Sequence, residues 1–298
     1  MSTDSSNNES LFHYTNDVGL FGILENQCIW ATHYKFLNDS TELFFYKEHL
    51  IARMARDFRS YQAKGLDNAA DFNEIAQQCW EGINPLFTQD DCYVASFCRA
   101  SDPYVKENGL LSQWRAYGLN GGYAIELELE SLKERLMSQV DKLPFKKNCI
   151  PFFDDCVYKD YVEHDVFRNL SGYLKYFSDN INLNAPKPSS DLQDKAFVSI
   201  MHCAVMFKHH AFNEENEVRI AIRIPHKNRS NFKQNIKLRG DGVPYVELFN
   251  DIKNKLPIKR IIVGPHKEKF IRADKLKYVL KVKGLESIDV SVSDIPFR

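Results

Sequence analysis

Between Leu11 and Asn38 the chain reads strand, helix, strand, and no other stretch limits its fold as tightly. Leu11 to Tyr14 is a short apolar run of strand length. Asn16 or Asp17 then offers a side-chain oxygen as a helix cap, and Val18, Phe21 and Leu24 recur at helical spacing. Cys28-Ile29-Trp30-Ala31-Thr32 is a second strand-like run. A strand that ends in His13-Tyr14-Thr15 and turns at once into a helix aims three polar side chains at the mouth between the two elements. Mouths of that kind hold ligands.

The rest of the chain supplies a sheet and its covering helices. Residues 91–97, 123–129, 218–224, 245–249, 258–263 and 288–292 are alternating or short apolar runs bounded by turn or cap signals, and each is expected as a strand. One face of the 123–129 run is Glu126, Glu128 and Glu130. A further strand is expected around Val157. Helical spacing predicts helices over 109–117, 131–140, 162–177, 191–209 and 271–283. From Asp39 to Gly82 the period is also helical, with Asp39 and Glu42 at capping-box spacing, and this stretch is expected as a helical insertion or cap outside the sheet. Ser101-Asp102-Pro103 is turn chemistry. Strands cluster late and do not alternate cleanly with helices, so the fold class is α+β, with a mixed, mostly antiparallel sheet flanked by helices. Residues 11–298 form one expected domain, after a polar leader over 1–10 that lacks the apolar core of a signal peptide.

Charge removes some function classes. With 39 basic and 40 acidic residues the net charge is -1, so no general field draws the chain to nucleic acid or an anionic membrane. No apolar run nears the ~20 residues of a membrane helix. The seven cysteines form no C-x-x-C pair and are expected as reduced, mostly buried thiols in a cytoplasmic protein. His202, His209 and His210 match no zinc spacing, and no metal site is assigned.

Four groups of residues remain as candidates for chemistry: His13-Tyr14-Thr15, Ser96, Trp114 with Tyr117, and Glu215-Asn216-Glu217-Val218-Arg219. Glu215 and Glu217 fall on one face of a strand at period two, and Arg219 follows on that same face. Two carboxylates so placed repel, and one pKa rises unless a cation sits beside them. Two readings fit: a solvated ladder of ion pairs on a sheet, or an acidic site inside a cleft. His13, Ser96 and the two aromatics have equally ordinary structural uses.

Taken in order, the runs FHYTNDVGLFGILENQCIWAT, FLNDSTE, ASFC, SQWRAYGLNGGYAIELE, FKHHAFNEENEVRI, IIVGP and VSVSDIPFR resemble the bacterial DUF2971 family, a domain of unknown function, from Leu11 to Arg298. The opening is also similar to ADP-ribosyltransferase-like folds, where a strand ending in His-Tyr/Phe-Thr/Ser precedes a short helix and a second strand. That second resemblance implies an NAD-consuming ADP-ribosyltransferase or NAD glycohydrolase, a toxin or antiphage effector, with NAD as substrate and a macromolecular target left open. It implies that His13 holds the nicotinamide-side ribose, that Tyr14 and Thr15 shape the pocket, and that Trp114 or Tyr117 stacks on nicotinamide. Glu217 then matches the late glutamate, with Glu215 as the first acid of the pair. Ser96 and Arg219 complete the binding set. The chain departs from the transferase pattern in its 39–82 insertion, in lacking a Tyr-x-Tyr-like run, and in placing Arg219 beside the acids. A metal-dependent nuclease using His13, Glu215 and Glu217, and a non-catalytic nucleotide sensor, are the alternatives.

Overall fold

The computed structural model describes residues 9–37, 47–56, 76–77, 80–81, 84, 90–118, 121–141, 151–158, 190–225, 230, 233–250 and 255–297. Ten strands form one sheet: β1 Ser10–Thr15, β2 Ile29–His33, β3 Asp91–Arg99, β4 Tyr123–Glu128, β5 Pro151–Asp155, β6 Glu217–Ile224, β7 Ile236–Leu238, β8 Pro244–Leu248, β9 Ile258–Val263 and β10 Asp289–Val292. All of their pairings are antiparallel except β9 with β10, which matches the expected mixed, mostly antiparallel α+β class. The helices are α1 Asp17–Asn26, α2 Pro103–Asn108, α3 Leu111–Tyr117, α4 Leu129–Asp141, α5 Ser190–Met206 and α6 Lys269–Val282, beside helical residues 47–56.

The sheet forks at β3. One edge of that strand pairs with β6 along its length, from Asp91↔Ile224 to Cys98↔Glu217. Its other edge is shared. β1 takes the far end through Leu11↔Arg99 and Phe12↔Cys98, and β2 takes the near end through Thr32↔Val94 and His33↔Tyr93. β1 therefore leaves β3 at His13, and a gap opens between β1 and β2 over Ala95–Phe97. The order on one side of the fork is β1-β4-β9-β10, and on the other β2-β8-β7.

Helix α1 crosses from one branch to the other. Asn16 caps it, its Oδ1 accepting from Gly19 N at 3.0 Å, and it ends at Gln27 in a left-handed conformation (φ 50°). Leu20, Ile23 and Leu24 bury its inner face in the main core, alongside Leu132 and Leu136 of α4 and Leu276 and Leu280 of α6. Each such leucine contributes about 1.5–3 kcal/mol by leaving water. A Cβ at Gly19 would meet the Thr15 hydroxyl, so any larger residue there requires the Thr15 side chain to turn away.

A second core lies under α5. Phe197, Ile200, Met201 and Val205 pack with Cys92, Val94 and Ala221 of the sheet and with Leu50, Met54, Ala76 and Trp80. Most of the expected 39–82 insertion, like the expected 162–177 helix, lies outside the described residues. Its described portion is part of this buried layer.

Four local expectations change. The strand expected around Val157 is β5, several residues earlier; Val157 itself makes only an isolated bridge to Phe207. β5 opens on a proline and, among the described residues, pairs with β6 alone, as an edge strand does. Ser101-Asp102-Pro103 starts helix α2, with Asp102 accepting from Tyr104 N and Val105 N at 2.8 and 3.1 Å. Asp before Pro writes both a turn and a helix start. β7 is only three residues long and carries no period to read. Finally, every residue of β6 is buried, including Glu217, Arg219 and Arg223, so the charged face is no solvated ladder. α5 covers it.

Candidate functional site

The fork leaves a cavity of about 630 Å³ between β1, the β3 gap, β6, α1 and α3. That is within the size range of small-molecule sites. Its wall includes His13, Tyr14, Thr15, Ser96, Tyr117, Glu215, Glu217 and Arg219, residues drawn from both ends of the chain. Trp114 is not on it.

His13 sits where β1 peels away. Its Nδ1 lies 3.0 Å from the Ser96 carbonyl, in the stretch of β3 that neither β1 nor β2 covers. A carbonyl only accepts, so Nδ1 carries the proton and Nε2 of the neutral ring is left as an acceptor. Burial lowers the His13 pKa from 6.5, and the bond to Ser96 opposes that shift only in part. The ring rests against Phe97 at 5.5 Å between centroids.

Tyr14 and Trp114 do structural work. The Tyr14 hydroxyl accepts the Leu110 N–H at 2.8 Å and fixes the start of α3 against β1. Burial pushes its pKa up, so it stays a neutral phenol. Trp114 is 4% exposed, meets the Tyr14 ring edge-on at 5.0 Å, and donates its indole N–H to the Asn108 carbonyl at 2.9 Å. A side chain at Gly264 would strike that indole. Of the two aromatics expected as stacking partners, only Tyr117 reaches the cavity, and it is 42% exposed.

The floor is a four-charge cluster. Glu217 Oε1 accepts from Arg219 Nε at 2.8 Å, and Oε2 accepts from Lys208 Nζ at 2.6 Å. Lys208 also donates to Glu215 Oε2 at 2.5 Å. Arg219 Nη1 donates to the Val205 carbonyl at the end of α5, at 2.7 Å. Burial acts to raise the Glu217 pKa, but Arg219 and Lys208 outweigh it and bring the carboxyl down to about 2. For Lys208, burial acts to lower the pKa, and Glu217 and Glu215 more than reverse it. Both groups are charged at neutral pH, and the cluster is balanced two against two. The backbone N–H of Glu217 is held as well, donating to the Tyr158 hydroxyl at 2.7 Å.

Lys208 escaped the reading of the sequence. Glu215 is not on the strand as expected: it ends a 3-10 turn, His210–Glu215, the left-handed Asn216 (φ 43°) breaks the period, and only Glu217 and Arg219 lie on β6. Two clustered carboxylates still need two cations; Arg219 is one, and the Phe207-Lys208-His209-His210 run just before them holds the other. Gln113, Trp30, Arg239 and Asp241 also line the cavity without having been expected. Gln113 is 5% exposed, and its amide makes no hydrogen bond among the described residues. Cys98 lines the cavity too, but burial and then Glu217 push its thiol well up, so it is no ready nucleophile.

Among the described residues no three His, Cys, Asp or Glu side chains group as metal ligands. His202 instead stacks on Phe152 at 4.5 Å, and His209 lies 4.2 Å from His210, centroid to centroid. Among the described residues no helix is long and apolar enough to cross a membrane.

No curated protein and no solved structure matches this chain. A family model does, over residues 113–220, a span that runs from Gln113 through the Lys208–Glu215–Glu217–Arg219 cluster and leaves β1 outside. Over that stretch the chain is similar to DUF2971, described as a protein of unknown function.

Proposed function

We propose that this cavity binds NAD and cleaves its nicotinamide–ribose bond, as an ADP-ribosyltransferase or NAD glycohydrolase. The observation that carries the reading is the meeting of His13, Tyr117 and Glu217 on one cavity wall, from β1, α3 and β6. Cleavage sends the bonding electron pair to the nicotinamide nitrogen and leaves positive charge on the ribose, to be captured by water or by a nucleophile on a target. An ionised carboxylate held in place before the reaction stabilises that charge, and Glu217 is ionised at neutral pH. Its low pKa makes it unsuitable as a general acid. His13 Nε2 is an acceptor for a ribose hydroxyl, Tyr117 covers the nicotinamide ring, and Glu215 faces the acceptor.

The test is release of nicotinamide from NAD by the full chain. Glu217→Gln is expected to abolish release per folded molecule, measured at a temperature where circular dichroism shows the variant folded. Undiminished turnover in that variant would sink the assignment.

One observation favours a second reading, a nucleotide sensor without catalysis: both Glu217 oxygens already hold cations. It predicts NAD binding with no nicotinamide release by the unaltered protein.

A further inference from the structure

Among the polar side chains on the cavity wall that belong to buried residues, the Gln113 amide stands apart. The Tyr14 hydroxyl accepts from Leu110, His13 bonds Ser96, and Lys208 joins both glutamates. Gln113 is as buried as its neighbours, reaches the cavity, and has no hydrogen-bond partner among the described residues. Its amide atoms are not sealed in the protein, so the group is open to pair with whatever occupies the cavity. α3 places Tyr117 one turn further along the same face, and Tyr117 also lines the cavity. This face of α3 and the acidic floor of Lys208, Glu215 and Glu217 line the same cavity.

We propose that Gln113 is the specificity-determining residue of this site and reads a neutral, planar primary carboxamide, pairing with it through two hydrogen bonds while Tyr117 covers the attached ring. The proposal rests on the NAD reading, in which the nicotinamide carboxamide is the group at this end. The chemistry is that of matched amides: each offers one N–H and one carbonyl to the other. A carboxylate in the same place has no N–H to give, so the Gln113 carbonyl stays unpaired. Sites built around a hydrogen bond reject analogues that lack it far more strongly than apolar pockets reject a missing methylene.

The experiment follows binding by intrinsic tryptophan fluorescence, since Trp30 lines the cavity and is 40% exposed while Trp80 and Trp114 are buried. The full chain is titrated with NAD and with its analogue carrying a carboxylate in place of the carboxamide. Preference for NAD by about tenfold or more is expected. Gln113→Leu should erase that preference and leave the melting temperature of the ligand-free protein nearly unchanged, because the amide makes no hydrogen bond among the described residues. Gln113→Met, unbranched and of similar length, serves if the leucine variant does not fold. A variant that melts several degrees lower yet keeps the preference shows Gln113 to be structural and overturns the proposal. If the unaltered protein ignores NAD, the NAD reading fails, and free nicotinamide against nicotinate then judges Gln113. Preference for the amide upholds its role, and indifference to both ends it.

Discussion

Glu217 shows how far one residue's surroundings alter its chemistry. As part of an exposed E-x-E-x-R ladder its ion pairs would be worth at most about 1 kcal/mol. At 3% exposure, with Arg219 and Lys208 buried beside it, removing its charge strands two cations. Glu217→Gln is therefore expected to cost about 3 kcal/mol or more of stability, read from denaturant midpoints. The pH profile should show two stages. His13 has a folded pKa below 6.5, so stability is full above that value and declines as the unfolded chain takes up the proton at lower pH. Glu217 has a pKa lowered from 4.5 to about 2, so its contribution is full above 4.5 and is lost as pH falls toward 2. His13→Gln should flatten the upper stage of a melting-temperature profile and Glu217→Gln the lower. A single unaltered transition in both variants would contradict the assignments. Glu217 and Arg219 were readable from period two alone, whereas Glu215 reaches them from the turn before β6 and not from the strand. Lys208 was not, because it leaves the end of α5 and reaches β6 only in the folded chain.

Among the elements, α1 is the one that can be altered most cleanly. Gly22 lines the cavity, and a Cβ built there meets nothing within 4 Å. Gly22→Ala should stabilise the protein by about 0.5–1 kcal/mol, the usual gain in a helix interior. Gly22→Leu should fill the cavity and abolish NAD-dependent fluorescence change while leaving the melting temperature close to that of the unaltered protein. Retained binding in a folded Gly22→Leu chain would place the ligand elsewhere. The helix itself was legible, because Asn16 and the spacing of apolar residues announce it. Which residues it buries was less so: Val18, expected on the inner face, is 81% exposed at the cavity, while Leu20, Ile23 and Leu24 face the core. Val18, Phe21 and Leu24 share one spacing, and spacing alone does not choose between adjacent stripes.

Across the whole molecule, the forked sheet makes both the cavity and the two cores. β6 divides them, with Val218, Ile220 and Ile222 in the main core and Ala221 in the second. The second core depends on the 47–56 segment, where Leu50 is 1% and Met54 0% exposed. Leu50→Ala should cost about 2–5 kcal/mol, as truncations in cores do, measured by chemical unfolding. A dispensable cap would give a change near zero, so the measurement separates the two views of this region.

What the sequence determined by itself was local: strand and helix positions, because their periods are written over a few neighbouring residues, and the α+β class that follows from their order. It also singled out His13, Ser96, Tyr117, Glu215, Glu217 and Arg219, whose types and spacing suit polar chemistry. The tertiary structure decided the rest. It split β1 from β2 on one edge of β3, buried the charged face of β6 beneath α5, turned Trp114 into the core, and brought Lys208 and Gln113 to the cavity. Each of those outcomes depends on which strand pairs with which and on what covers a face, interactions between residues far apart in the chain that no local period encodes.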